Sequence, residues 1–513
     1  MLRPFFVLLL MSYVYNVTAQ LTQTTRYENE IKFTDDNFIV ASAQEDGILL
    51  IRESDEKVED ERGEVWEVIS LDNELQELWQ NLFVIDQEYD VLGFEYYKGF
   101  LYLLFEDQDG STKKFFLLKI NQKTGDVNKY EAATELELMP THLLITDDQM
   151  VLGGEINYRL SFVIFNYVED QVAVVPGFFN RKSIILDFNF NEQHKVYSLL
   201  LLERNAQNKN EIAIKSFTRE GKVFIDEQYE FDGAHRALNG KIVIGEDMRV
   251  YFSGTYGSNN SFYSQGMYFG YLQGGQEPKV ELHSLNELEH IFDYMKEKRA
   301  KKLRAKIERR KNKRKPYEFK TQLWTQYFYE VEGKNQFVML ADIFRPEYDR
   351  QSDMRMGTAP QDDNTNQKYV SYISGITNAD GSDNIKYYES VMVVFNNEGE
   401  IINDYSLPTP NVEGFSLDRF SCGFVDEDEA SLFYKDENNI RYKVFDHQQN
   451  VLRDSIMQIS LLNEQMIPVK MTDIEGRVQP WYDDKLFVWG YQKVEDSVGD
   501  RKTLFFINKL ELQ

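Results

Sequence analysis

The chain has one cysteine, Cys422, among 513 residues, so an intrachain disulfide is excluded. It has six histidines, none of which forms an HExxH pair, and a single thiol cannot build a multi-thiolate zinc site. A G-x-S-x-G nucleophile elbow and a phosphate-binding loop with correctly spaced glycines are also missing. We therefore predict no catalytic residue, no metal ligand and no cofactor from motifs.

Long apolar runs are also missing beyond the N-terminus, where no stretch reaches the ~18 residues of a membrane-spanning helix. At the N-terminus, Arg3 precedes an apolar run, and Val17-Thr18-Ala19 forms a small-residue cleavage site before Gln20. This pattern predicts a signal peptide at residues 1–19 and an exported chain, periplasmic or extracellular, with no transmembrane segment after cleavage. The alternatives are an apolar first strand or a membrane anchor.

Acidic residues dominate the charge, with 85 Asp and Glu against 57 Lys and Arg and a formal net charge of −28. Aromatic residues make up 14% of the chain, which favours a folded β protein over a disordered one. Without disulfides, such a fold depends on its apolar core and its sheet hydrogen bonds.

One short pattern recurs: an apolar strand ending in Asn, Asp or Thr, a tight polar turn, and another strand. It is clearest around residues 120–127, 216–223 and 395–401, and looser around 445–451. The turns centre near positions 73, 122, 169, 219, 274, 397 and 447, so most steps are about 50 residues. Four candidate strands fit within each step, as a propeller blade requires. We predict an all-β fold, a β-propeller with eight blades or, alternatively, seven; a β-solenoid or two smaller barrels remain open.

The last repeat is short, because only Leu510-Glu511-Leu512 follows its predicted third strand. The mature N-terminus, around residues 21–33, is predicted to supply its outer strand and so to join the first and last blades. The repeat, the export signal and this closing strand resemble exported β-propeller proteins of unassigned activity. The resemblance spans nearly all of residues 20–513 and implies the architecture, without a site that can be carried over.

One interval, from 274 to 397, is longer than the others by roughly 73 residues of inserted material. A polar segment at 346–368 is predicted to be an inserted loop. The second insertion, 284–316, begins with a capping box formed by Ser284 and Glu287 and continues with apolar residues at helical spacing. A helix over 285–315 would be about 46 Å long.

The second half of this predicted helix is strongly basic. Residues 296–315 hold thirteen Lys or Arg against Glu297 and Glu308, a local net charge of +11. These predicted partner-binding residues are Lys296, Lys298, Arg299, Lys301, Lys302, Arg304, Lys306, Arg309, Arg310, Lys311, Lys313, Arg314 and Lys315.

Two functions are consistent with these features. The first is a non-catalytic exported binding or scaffold protein whose basic helix docks an anionic protein or the envelope surface. Nucleic acid is not an expected partner, since no nucleic-acid-binding fold is recognisable. The alternative is a propeller hydrolase acting on carbohydrate or peptide through carboxylates at the ring mouth. The basic helix could instead lie against its own acidic propeller.

Overall fold

A computed structural model describes residues 20–512, apart from 33–36, 55–62, 87–88, 108–112, 179–182, 206, 208, 233, 260, 314–316, 318, 320, 348–383, 411, 415–416, 418, 427–428, 464–465, 470–475 and 496–498. The predicted signal peptide therefore lies outside the described residues. The described chain forms eight antiparallel sheets, numbered here as blades 1 to 8. The eight-bladed propeller predicted from the repeat is confirmed.

Blades 1 to 4 each contain four strands that follow one another along the chain. The strands of blades 1 and 2, after β1 (Leu21–Ile31), are β2 (Ile39–Ser42), β3 (Ile48–Ser54), β4 (Glu64–Leu71), β5 (Glu77–Ile85), β6 (Tyr89–Tyr97), β7 (Phe100–Asp107), β8 (Lys113–Asn121) and β9 (Val127–Thr134). Those of blades 3 and 4 are β10 (Leu138–Ile145), β11 (Gln149–Ile156), β12 (Arg159–Asn166), β13 (Gln171–Val174), β14 (Ser183–Asn191), β15 (Val196–Arg204), β16 (Asn210–Thr218) and β17 (Val223–Glu230).

Blades 5 to 8 keep this order, with additions in blades 6 and 8. The strands of blades 5 and 6 are β18 (His235–Ile244), β19 (Val250–Ser258), β20 (Ser264–Leu272), β21 (Lys279–Ser284), β22 (Gln322–Val331), β23 (Gln336–Glu347), β24 (Asn384–Asn396), β25 (Ile401–Pro408) and the short β26 (Glu413–Gly414). Those of blades 7 and 8 are β27 (Ser421–Val425), β28 (Glu429–Asp436), β29 (Asn439–Asp446), β30 (Val451–Gln458), β31 (Ile467–Pro468), β32 (Val478–Pro480), β33 (Lys485–Glu495) and β34 (Arg501–Leu512). The helix α1 (Glu297–Lys311) lies between blades 5 and 6.

The recurring polar turn joins the third and fourth strands of a blade. Its first residue accepts backbone N–H groups two to four residues later, as Asp72 does from Glu74 and Gln76, both at 2.8 Å. The side-chain oxygens of Asn121, Asn166, Asn396 and Asp446 accept equivalent bonds in four other blades. The Asn or Asp in the sequence pattern is thus the residue that closes the turn in these five blades.

Both faces of the middle strands are buried because each blade packs between two others. In β3, Leu49 and Ile51 pack with blade 2, whereas Ile48 and Leu50 pack with blade 8. This explains the unbroken apolar runs, such as residues 101–105, all of which are buried.

Ring closure follows the sequence prediction. Strand β1 pairs antiparallel with β34, from Leu21 opposite Leu512 to Ile31 opposite Thr503. Strand β34 in turn pairs with β33, so blade 8 takes its outermost strand from the N-terminal end of the described chain.

The inserted helix is shorter than predicted. Ser284 and Glu287 do form the capping box, but it caps a single 3-10 turn, Leu285–Glu287, and α1 begins only at Glu297. Leu288, Ile291 and Phe292 are buried in the core cluster that joins blades 5 and 6. Their segment cannot continue as a helix because strand side chains accept its N–H groups, as shown below.

The predicted polar insertion at 346–368 falls largely outside the described residues. Pro346 and Glu347 belong to β23, whose end pairs with Asn384 and Ile385 of β24. In the described part of the chain, no helix has the length and apolarity needed to cross a membrane.

Substitution of Arg26 in β1 would test how much the closing strand contributes to stability. Its guanidinium donates to Asn508 at 3.0 Å and to Gln492 at 2.7 Å, and lies 4.5 Å from the ring centre of Phe506. Arg26→Ala would leave buried amide oxygens unpaired, so we expect the unfolding free energy to fall by about 3 kcal/mol. The control Arg501→Ala removes an ion pair whose arginine side chain is 68% exposed, and should cost only about 0.5 kcal/mol. Chemical denaturation would measure both, and equal midpoints would contradict the closing role of Arg26.

Candidate functional site

The basic residues predicted to bind a partner are gathered on and beside α1. Lys296 precedes the helix and Lys313 follows it, while Arg314 and Lys315 lie outside the described residues. Most of the described ones are exposed, namely Lys296, Lys298, Arg299, Lys301, Lys302, Lys306, Arg309, Arg310, Lys311 and Lys313. The 15-residue helix is about 22 Å long.

One stripe of α1 packs on the propeller. Ile307 is buried, and Ala300 and Leu303 pack against the same cluster that joins blades 5 and 6. Residues 300, 303 and 307 follow the spacing of one helix face, so the opposite face points to solvent.

Arg304 has a structural position that sets it apart from the other basic residues. Its guanidinium donates hydrogen bonds of 2.7–2.8 Å to the carbonyl oxygens of Leu288, Glu289 and Ile291. It also lies 5.3 Å from the ring centre of Phe292. Arg304 therefore ties α1 to the segment beneath it.

Two buried carboxyl groups of blade 6 hold the other side of that segment. Asp404 accepts the N–H groups of Glu289 and His290 at 2.8 and 2.7 Å. Glu389 accepts those of Phe292 and Tyr294 at 2.8 and 3.2 Å. Four backbone donors are thereby satisfied by side chains and are not available for a helix.

Burial changes the acidity of these carboxyl groups. Desolvation raises the pKa of Glu389 to about 8, with nearby Asp293 adding to the shift, and desolvation also raises the pKa of Asp404. The hydrogen bond to Asp293 raises the pKa of His290. Ser406 completes the cluster by donating to the carbonyl of His290 at 3.1 Å.

The charge of α1 is not neutralised by the propeller through lysine ion pairs. Lys301 pairs with Glu297 at 2.5 Å within the helix. Among the described residues, no lysine of α1 forms an ion pair with a propeller carboxylate. The helix thus lies on its own propeller through apolar contacts and Arg304, and its outer face stays basic.

Carboxyl groups with a raised pKa also occur away from α1. Burial raises the pKa of Glu95, on the innermost strand of blade 2, to about 8, and its carboxylate accepts the N–H of Ile145 at 3.1 Å. Asp342 in blade 6 has a pKa raised by burial to about 7 and accepts hydrogen bonds from Ser390 and Ser421. Glu95 and Asp342 lie in different blades, so they do not form a pair of neighbouring carboxyl groups. No cluster of three or more potential metal ligands was found in the described part of the chain.

Charged residues from three inner turns meet at one mouth of the ring. Lys98 lies 3.0 Å from Asp147 and 3.2 Å from Glu192, which come from blades 2, 3 and 4. Lys195 lies 2.6 Å from Glu192. The Lys98 hydrogen bond lowers the pKa of Asp147, so these carboxylates are ion-paired.

Motif reasoning from the sequence missed Glu389, Asp404 and Glu95. The available signal was a charged residue beside strongly apolar stretches of strand, as where Glu389 comes just before the Val391–Phe395 run of β24. The sequence could not show which backbone N–H groups these carboxylates accept, because the donors lie about 50 to 115 residues away along the chain.

No protein-family model and no curated protein matches the chain. Solved structures similar to it include polysaccharide lyase Uly1, at 9% identity over 93% of this chain and 100% of that one, with a TM-score of 0.38. The Nup133 β-propeller domain of Vanderwaltozyma polyspora is 10% identical over 82% of this chain and 100% of that one, with a TM-score of 0.36. Prolyl oligopeptidase B from Galerina marginata is 9% identical over 93% of this chain and 56% of that one, with a TM-score of 0.38. At this level of similarity they assign no activity to this chain.

The cluster beneath α1 should respond to pH. If the segment 288–295 left the propeller, solvent would reach Glu389 of β24 and its pKa would fall towards the usual value, whereas with the segment docked its pKa is about 8. Docking is therefore stabilised at low pH and weakens as the pH rises towards 8; loss of the His290 proton acts in the same direction. Asp293 and Asp404 add negative charge next to these groups.

Hydrogen exchange, corrected for intrinsic rates, should show amides 289–294 better protected at pH 6 than at pH 8.5. Glu389→Gln removes the titrating charge and keeps one of the two acceptor oxygens, so it should lower the protection at both pH values, through loss of the bond from Phe292 or Tyr294, and flatten much of the pH dependence. Protection in the wild type that is independent of pH would contradict the assignment.

Proposed function

We propose that this protein is an exported, non-catalytic binding or scaffold protein that docks an acidic protein or an anionic envelope surface. The observation that supports this most is the outer face of α1, which is basic, exposed and without lysine ion pairs to the described propeller. Export rests on the N-terminal sequence pattern.

The outer face has the geometry of a docking surface. Lys298, Lys302 and Arg309 are spaced by 4 and 7 residues, which places them on the side of α1 opposite Ile307, and Lys313 follows in the turn after the helix. From Lys298 to Arg309 this face spans roughly 16 Å along the axis.

The attachment of α1 to the propeller holds the basic helix in place before any partner binds. Arg304 and the buried Ile307 fix the helix on the propeller, so little ordering is needed when a partner binds. The remainder of the protein is strongly acidic, so an anionic partner would be attracted locally and repelled elsewhere. Such a field selects both the position and the orientation of the partner.

The composition of this face favours surface binding over insertion into lipid. Between 297 and 311 the apolar residues are Ala300, Leu303, Ala305 and Ile307, and only Ala305 is exposed. An interfacial membrane helix needs a large apolar face as well as a basic one.

The test replaces Lys298, Lys302, Arg309 and Lys313 with Gln. The matched control replaces Lys123, Lys209, Lys222 and Lys279, four exposed lysines on the propeller, and changes the net charge by the same amount. We expect capture of an anionic partner from envelope extract to fall at least about tenfold for the helix variant and to remain for the control. Raising the salt concentration should release the wild-type complex.

Vesicles of phosphatidylglycerol, tested in parallel, would distinguish an anionic lipid surface from an acidic protein. Equal capture by the wild type and the helix variant in both assays would refute the docking role.

Glu95 supports a second candidate function, a hydrolase acting on carbohydrate or peptide. It is partly exposed on an innermost strand, and its raised pKa keeps it protonated at neutral pH, as a general acid requires. If this function holds, Glu95→Gln should abolish hydrolysis of chromogenic glycosides or peptides while preserving the bond from Ile145. Turnover that is unchanged in this variant, or missing in the wild type, would exclude Glu95 as the acid.

A further inference from the structure

A cleft of about 390 Å³ lies between blades 6 and 7. It lies on the side of the ring that carries the turns between the first and second strands and between the third and fourth strands of these blades. Its wall comes from four strands and two turns of the two blades. The lining residues are Lys334, Gln336, Val394, Ile402, Asn403, Tyr405, Val425 and His447. The volume is within the range of small-molecule sites.

Hydrogen bonds between the blades hold both ends of this cleft. At the inner end, the Lys334 ammonium donates to the carbonyl oxygen of Asp426 at 2.8 Å. At the outer end, Asn403 donates to the carbonyl oxygen of His447 and accepts from Gln449, each at 3.1 Å. The spacing of the two blades is therefore set before any ligand binds.

The charge of the lining is opposite to that of the protein. Among the eight lining residues there is no Asp or Glu, although the chain has 85 acidic residues. A larger open groove between blades 4 and 5, of about 520 Å³, has Asp226, Glu227, Glu230 and Glu277 in its lining. The inter-blade cleft is thus a place where an anion can approach this acidic protein.

The cleft also presents hydrogen-bond donors. The Gln336 side-chain amide has no hydrogen-bond partner among the described residues. The side chain of Tyr405 is fully buried, and its hydroxyl accepts from Asn403 at 3.0 Å, which holds the Asn403 amide in the wall of the cleft. Val394, Ile402 and Val425 add an apolar surface beside these polar groups.

We propose that this cleft binds a small hydroxylated carboxylate of about monosaccharide size, such as a sugar acid. Lys334 pairs with the carboxylate, Gln336 bonds to a hydroxyl or ring oxygen, and the apolar residues contact the carbon skeleton. Charge-assisted bonds to Lys334 would favour the acid over its neutral analogue.

The probes are glucuronate and glucose, which differ at one carboxylate, titrated into the full mature chain by calorimetry. We expect saturable glucuronate binding, at least about tenfold tighter than glucose. Lys334→Gln and Gln336→Leu should each weaken glucuronate binding by about tenfold, while the control Lys222→Gln leaves it unchanged.

The variant with four Gln replacements on α1 separates this site from the basic helix. It should bind glucuronate as the wild type does, so the two proposals stand or fall independently. Binding lost in that variant would move the anion to α1 and overturn the cleft proposal. It would also be overturned by equal affinity for glucose, by no saturable binding, or by Lys334→Gln and Gln336→Leu variants that bind as the wild type does.

Discussion

Every blade must bury both faces of its middle strands, and this requirement shapes the whole molecule. A sheet at the end of an open row would expose one apolar face, so the row has to close on itself. Closure is made by β1, which joins β34 and brings residues nearly 490 positions apart into register. Arg26, buried at this seam, binds side chains of both β33 and β34 and so connects three strands of the closing blade.

Carboxyl groups of the strands have a second structural role. They accept hydrogen bonds from backbone N–H groups at places where regular strand pairing stops. Glu95 serves an N–H of the next blade, and Glu389 and Asp404 serve four N–H groups of the inserted segment. Burial of Glu389 and Asp404 is tolerated because each accepts two hydrogen bonds from backbone N–H groups. The same arrangement places titrating groups directly beneath α1. The stability with which the basic helix is attached to the propeller should therefore depend on pH.

The distribution of charge distinguishes the two surfaces for which we propose ligands. The outer face of α1 suits a large anionic partner because it is long, exposed and almost purely electrostatic. The cleft between blades 6 and 7 suits a small one because it is narrow, contains few charges and carries donors beside apolar groups. Both stand out only because the remainder of the protein is so acidic.

The repeat, the closing strand and the basic segment could be predicted from the sequence, and the number of blades was limited to eight or seven. The repeat and the basic segment are local patterns: the Asn or Asp of a turn bonds to its own turn, and strand burial appears as neighbouring apolar residues. The true length of α1 could not be predicted from neighbouring residues, because the capping box and the apolar spacing at 284–295 both favoured a helix. Only the tertiary structure decided otherwise, since Glu389 and Asp404, about 100 residues later, accept the N–H groups that a helix would use. The inter-blade cleft likewise had no sequence signal, because its lining comes from four strands and two turns that meet only when two blades pack.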